Sequence, residues 1–239
     1  MSVLPSNSGF RAIVAFGCWL GVWSLALPTW AYVIPPSDGL QAGSLYQLVF
    51  VTAGTRDALD SDVAVYDSFV QSEAAANPGL PSASWSVIAS VGDDPETGVA
   101  ARDHAVMYAD VPIYNTHGQR VANNGLSFWT DAHLALINYD QWGNLVGAGQ
   151  FVWTGSSSDG RPPYPLGDGL STYGDPNSPS QWIFAADSEQ QDLNLHLYGL
   201  SSRVSSTTPA PEPATLALLA VAAMALAGVK VLWRGKLGK

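Results

Sequence analysis

The sequence predicts an α+β fold, with a mostly antiparallel sheet, one early helix and long loops. Residues 45–52 are β-branched and aromatic and lie between two glycines, which is typical of a strand. Residues 59–76 carry apolar side chains at helical spacing. The remaining sequence consists of short apolar runs separated by stretches rich in Gly, Pro, Ser and Asp, which favours further strands joined by loops.

The early helix has signals at both ends. Asp60 or Ser61 is suited to be its N-cap, and Asn77-Pro78-Gly79 should end it. The apolar residues Leu59, Val63, Tyr66, Phe69 and Val70 follow one another at helical spacings.

Later strands are expected at residues 85–91, 151–154 and 193–198. Residues 111–114 and 119–122 flank a turn that ends in Gly118, which predicts a hairpin. No internal repeat is visible, so a solenoid or a propeller is disfavoured.

The charge of the chain is distributed unevenly. Residues 32–208 contain five arginines, nineteen acidic residues and no lysine, a net charge of −14. Such a body repels nucleic-acid phosphates, so a nucleic-acid partner is not expected. The same region has no cysteine, because Cys18 precedes it, and this excludes disulfides and thiol nucleophiles there.

Residues 1–31 are expected to be a signal peptide. Arg11 is followed by an apolar run from Ala12 to Leu27, and small residues lie before the expected cleavage between Ala31 and Tyr32. The alternative is a membrane anchor, but the run is short for a bilayer, which takes about 20 residues. The exported globular domain is then expected to span residues 32–200.

A targeting segment is predicted after this domain. Residues 201–213 form a polar linker that ends in Pro211-Glu212-Pro213. Residues 214–233 are apolar apart from Thr215 and Lys230 and have the length of one transmembrane helix. Residues 234–239 form a basic tail, which the positive-inside rule places in the cytoplasm. The domain should therefore lie outside the cytoplasm.

The tripeptide, the membrane helix and a basic cluster that starts at Arg234 together resemble the PEP-CTERM sorting signal. The resemblance covers about residues 209–239. It implies bacterial export, processing by a membrane-embedded exosortase near the tripeptide, and then attachment at the cell surface or release from it. Proteins with this signal often occur in organisms that make exopolysaccharide and biofilm. An ordinary stop-transfer anchor behind a proline-rich linker is the alternative.

The body has a strand followed by Arg56-Asp57, the early helix, a Trp-Thr-Gly sequence before Asp159-Gly160, and a late Trp182. Over about residues 45–200, this arrangement resembles C-type-lectin-like or endostatin-like domains. The disulfides common in that fold are missing. A β-sandwich adhesion module is the rival interpretation, and the helix at 59–76 counts against it.

Asp159, Asp168 and Asp175 are the calcium candidates. They are interleaved with glycines in the long loop from Gly155 to Pro179, and carboxylate and carbonyl oxygens are the ligands that Ca²⁺ prefers. Loops of this length usually have a function. The acidic residues at 57–62 are better explained as caps of the helix, and those at 93–96 as solvated turn residues.

No constellation of residues calls for catalysis. The four histidines of the body are His104, His117, His133 and His196, and none has zinc-hydrolase spacing. His104 beside Arg102-Asp103 is a candidate base, and a surface role is the alternative. Five tryptophans (85, 129, 142, 153 and 182) belong to the core or face a sugar.

Three functions follow from these observations. The first is a non-catalytic cell-surface or matrix protein that interacts with exopolysaccharide or envelope components. The second is a calcium-dependent, lectin-like carbohydrate-binding module. The third is a secreted hydrolase. The expected partners are an exosortase, the membrane before processing, and a polysaccharide.

Overall fold

The computed structural model describes residues 36, 40–130, 132–188 and 190–206. They form three helices and nine strands, which agrees with an α+β class that has few helices. The elements are β1 (Leu45–Val51), α1 (Val63–Ala76), β2 (Trp85–Val87), α2 (Ala101–His104), β3 (Ile113–Asn115), β4 (Arg120–Ala122), α3 (Gly125–Thr130), β5 (Val152–Trp153), β6 (Ser171–Gly174), β7 (Ala186–Ser188), β8 (Tyr198–Ser201) and β9 (Val204–Ser205).

The strands form two sheets. The larger sheet has the order β2-β8-β1-β3-β4, with β9 paired to the start of β1. Its pairs are antiparallel except for β1 and β3, which run parallel with Gln47 opposite Ile113. The smaller sheet, β5-β6-β7, is antiparallel. The expected mostly antiparallel pairing is therefore confirmed.

Strand β1 separates two hydrophobic cores. Leu48 and Phe50 point into one core, against α1 and Trp85. Val49 and Val51 point into the other, among residues of α3 and the loops near β5. A strand buried on both faces needs a nearly continuous apolar run, which explains the composition of residues 45–52.

Helix α1 covers the edge strand β2. Asp62 is its N-cap, and the Asp62 side chain accepts a hydrogen bond from the Ala64 N–H. From the middle of the helix, Asp67 accepts from the Val87 N–H and Gln71 accepts from the Trp85 N–H. Two N–H groups that an edge strand would otherwise expose are thus bonded to helix side chains, which blocks edge-to-edge pairing there.

Most predicted elements are confirmed. Strand β1 and the turn with Gly118 at φ 77° match the expectation, and β3 and β4 form the predicted hairpin. Helix α1 ends before Asn77 as predicted, and its N-cap is Asp62 rather than Asp60 or Ser61.

Several boundaries are corrected by the structure. The strand predicted at 85–91 ends at Val87, and the helix predicted over 59–76 begins at Val63. The strand predicted at 193–198 is replaced by β8 (Tyr198–Ser201), because Leu195 and His196 instead form isolated bridges to Arg56 and Val152. The folded domain also extends through Ser206, beyond the expected boundary at residue 200. Strand β9 pairs with β1, and the Ser206 N–H donates to the Ser44 carbonyl at 2.8 Å.

Gly199 offers a test of packing in the centre of the larger sheet. A Cβ atom at this position would lie 2.7 Å from Cγ1 of Val70 and 2.8 Å from Cζ of Phe50. Gly199→Ala should therefore lower the free energy of unfolding by about 1–3 kcal/mol through overpacking, as measured by urea denaturation. Gly147→Ala is the matched control, since a Cβ there meets no atom within 4 Å. Equal stability of the two variants would contradict the described packing.

Candidate functional site

A polar groove of about 460 Å³ lies between the turn that precedes α2 and the loop after β5. Its lining residues are Pro95, Glu96, Gly98, Ala100, Arg102, Asp103, Arg161 and Pro162, which we call the arginine groove. The volume is within the range of small-molecule sites, roughly 300–1,000 Å³. Two of the five arginines of the body, Arg102 and Arg161, line this groove.

A buried pair of serines holds the two walls of the groove together. The hydroxyls of Ser90 and Ser156 are 2.8 Å apart, and both residues are fully buried. The Ser90 hydroxyl also accepts from the N–H of Ala101, the first residue of α2, at 3.0 Å. Ser156 donates to the Thr154 carbonyl. This network fixes the start of α2 against the loop after β5.

The second wall is a tight turn between Ser157 and Arg161. The Arg161 carbonyl accepts from the Ser157 N–H at 2.9 Å, and the Asp159 carboxylate accepts from the Ser157 hydroxyl at 2.6 Å. Arg161 Nε donates to Asp159 Oδ2 at 3.1 Å. The hydrogen bond from Ser157 is the main cause that lowers the pKa of Asp159, with Arg161 adding to it. Asp159 is therefore a carboxylate that orients Arg161.

Gly160 brings the two walls into contact. Its φ is 77°, and a Cβ atom would lie 2.7 Å from the Trp129 ring and 2.9 Å from Arg102 Cβ. Only glycine fits this conformation and this close approach. The Gly160 carbonyl accepts from the Arg102 N–H at 3.3 Å, and Arg102 Nη1 donates to the Asp159 carbonyl at 3.3 Å. The backbone and the side chain of Arg102 are both fixed to the turn.

The groove combines opposite charges at short range. Arg102 and Arg161 supply hydrogen-bond donors, while Glu96 and Asp103 supply acceptors. Pro95 and Pro162 add apolar ring surface. A ligand with many hydroxyl groups, each both a donor and an acceptor, matches such a lining better than an apolar ligand does.

The three calcium candidates lie in different neighbourhoods. Asp159 is bonded within its own turn, as described above. The N–H of Asp168 donates to the Pro165 carbonyl, and the preceding Gly167 N–H donates to the Ala58 carbonyl. Asp175 accepts from the Asn177 N–H in a local turn.

The structure does not assemble the predicted calcium site. Among the described residues, no group of three His, Cys, Asp or Glu side chains could hold a metal ion. Asp159, Asp168 and Asp175 each belong to a hydrogen-bonded turn of their own.

The other acidic clusters have structural roles. Asp60 pairs with Arg56 at 2.9 Å, and Asp62 is the N-cap of α1. Asp94 accepts from the Glu96 N–H in the turn before α2. These contacts agree with the expected capping and turn roles.

His104 does not face the groove. Its Nε2 lies 3.0 Å from the Asp67 carboxylate, which also accepts from the Val87 N–H. His196 is buried between the Thr52 carbonyl and the Gln150 side chain. His117 stacks on Tyr139 with ring centroids 4.4 Å apart. Sequence reasoning missed Asp67, because nothing in the sequence indicates that residues 67 and 104 meet.

The tryptophans belong mainly to the core. Trp85 and Trp153 are buried, and Trp182 lies in an aromatic cluster with Phe128 and His133. Trp129 is half-buried and supports Gly160 from behind. None of the five lines the arginine groove.

The folded α+β domain is thus followed by a segment whose composition is that of a targeting signal. Residues 209–236 match the PEP-CTERM protein-sorting motif, so the chain carries this sorting signal. The match contains Pro211, Glu212, Pro213 and Arg234 and confirms the resemblance drawn from them. The motif implies export, processing by a membrane-embedded exosortase and then a surface location.

The comparison with curated proteins gives no significant match for the chain. Within the described ranges, no helix has the length and hydropathy needed to cross a bilayer. The expected transmembrane helix at 214–233, the basic tail at 234–239 and the signal peptide at 1–31 lie outside the described residues.

His133 gives a pH-dependent prediction. Its ring packs on Trp182 and Phe128, and burial lowers the pKa of His133 below its ordinary value. As the pH falls below about 6.5, His133 takes up a proton in the unfolded chain before it does so in the folded protein. The free energy of unfolding therefore decreases with falling pH until the pH is below the pKa of His133 in the folded protein. Melting temperatures at pH 7.5 and 5.5 should differ more for the wild type than for His133→Gln. Parallel pH profiles would contradict the prediction.

Proposed function

We propose that this protein is an exported, non-catalytic cell-surface or matrix protein whose domain binds exopolysaccharide without a metal ion. The sorting motif at residues 209–236 supports its delivery to the cell surface, where such polymers are found. The arginine groove is the observation that carries the binding function, since it combines donors, acceptors and proline rings on one open surface.

The proposal favours sugar over the other partners considered. A hydrolase would need a nucleophile beside an activated base, and the Asp67–His104 pair is directed toward strand β2 instead. The Asp67 carboxylate is occupied by the Val87 N–H and the His104 ring, which suits a structural role. A calcium-dependent mode lacks its ligand cluster in the described part of the chain.

Sorting can be tested by removing the tripeptide. Pro211→Ala/Glu212→Ala/Pro213→Ala should leave the protein in the membrane but block its processing, because the apolar segment is intact and the recognition element is lost. Immunoblots of membrane and surface fractions should show the unprocessed form accumulating.

The control is Thr207→Ala/Thr208→Ala, which lies just outside the matched residues and should be processed normally. If the tripeptide variant reaches the surface in processed form, the segment acts as a plain membrane anchor and the exosortase assignment fails.

Polysaccharide binding can be tested with affinity electrophoresis of the full chain, purified in detergent. The gels should contain dextran, xylan, galactomannan or alginate, each with calcium and with EDTA. We expect at least one polymer to retard the protein equally under both conditions. If the protein migrates equally fast with and without polymer in every gel, polysaccharide binding is refuted. Retardation in the presence of calcium but not of EDTA would show that binding depends on a metal ion.

A further inference from the structure

We infer that the arginine groove selects neutral, hydroxyl-rich glycans and excludes glycans that carry uronates, with Arg102 and Arg161 as the residues that contact the sugar. This inference rests on the proposed polysaccharide-binding function and adds the ligand class and the contact residues to it.

Arg102 and Arg161 differ from the other three arginines of the domain, which pack on aromatic rings. The guanidinium of Arg56 lies over the Tyr66 ring at 4.4 Å, that of Arg120 over Tyr114 at 5.5 Å, and that of Arg203 over Tyr108 at 3.9 Å. Such stacking is a structural use of arginine.

Arg102 and Arg161 stack on no aromatic ring in the described part of the chain and line the groove instead. Arg102 uses Nη1 for the Asp159 carbonyl, and Arg161 uses Nε for the Asp159 carboxylate. A guanidinium has five N–H donors, so each side chain has donors that these bonds do not use, and the Arg161 side chain is 72 % exposed.

The acceptors in the groove decide which glycans fit. Glu96 and Asp103 can each accept hydrogen bonds from sugar hydroxyls, while the arginines donate to hydroxyl oxygens. A neutral sugar satisfies both kinds of group, and its C–H face can pack on Pro95 and Pro162. A uronate carboxylate has no proton to donate, and its attraction to the two arginines is opposed by three carboxylates, those of Glu96, Asp103 and the Asp159 that already pairs with Arg161.

The charge of the whole domain acts in the same direction. Arg102 and Arg161 face Glu96, Asp103 and the Asp159 that pairs with Arg161, so the groove has a slight excess of negative charge within a body of net charge −14. The long-range field of the body therefore slows the approach of a polyanion and leaves a neutral chain unaffected. Selection against acidic polymers thus comes from both the site and its surroundings.

The test is calorimetry on the full chain in detergent, with oligosaccharides from dextran, xylan and galactomannan as neutral probes and oligouronates from alginate as the acidic probe. The wild type should bind a neutral probe and show no uronate binding. Arg102→Ala and Arg161→Ala should each weaken neutral binding about tenfold or more, as expected for loss of a charge-assisted hydrogen bond.

Two further variants make the test decisive. Arg203→Ala, which removes an exposed arginine paired with Asp110, should bind within about twofold of the wild type. Glu96→Gln/Asp103→Asn removes both negative charges but keeps a carbonyl acceptor at each position, so it should gain uronate binding and retain part of the neutral binding. Circular dichroism should show all variants folded.

The outcomes separate the inference from the function on which it rests. If the wild type binds a neutral glycan and both groove arginine variants bind it equally well, the assignment of the site is wrong while polysaccharide binding stands. Tighter binding of oligouronates by the wild type would overturn the selectivity. If no probe binds, the proposed function and the inference fail together.

Discussion

The burial of strand β1 on both faces is the constraint on which the rest of the fold depends. Its alternating side chains enter two separate cores, so helix α1 must cover one face and the second half of the chain must cover the other. Its hydrogen-bonding edges are also occupied, by β3 on one side and by β8 and β9 on the other. A strand enclosed in this way fixes the positions of segments that are far apart in sequence. It also brings the start and the end of the domain together, because β9 pairs with the first residues of β1.

The groove depends on this frame through a few small residues. Ser90 follows β2 and Ser156 follows β5, so their contact joins the region of the larger sheet to that of the smaller one. Both hydroxyls are buried and fully engaged, and a buried hydroxyl without a partner would be costly. Gly160 then allows the turn of Asp159 to approach α2 closely. Serine and glycine have no role in the chemistry of the groove, yet they set its shape.

The sequence predicts the local elements well and the long-range ones poorly. Strand β1, helix α1 and the hairpin at Gly118 are visible because periodicity, caps and turn residues are local signals. Strands β6, β7 and β9 are short and polar, so they carry no such signal. They form because partners from distant parts of the chain supply their hydrogen bonds. The interleaved Asp and Gly residues suggested a calcium loop for a related reason, since composition cannot tell one shared site from three separate turns.

The sequence indicated some residues of the candidate site but not how they are grouped in space. Arg102, Asp103 and Asp159 were noted there, but nothing placed Arg161 beside them or Asp67 beside His104. The structure offers an explanation for the absence of lysine from residues 32–208. Arginine is planar and can stack on a ring or hold several acceptors at once, whereas lysine is a flexible point charge. In a strongly acidic body, each arginine is bound in a defined geometry: three lie on aromatic rings and two lie in the groove. Three of the five cations are therefore used in packing on rings, whereas Arg161 in the groove is 72 % exposed to solvent.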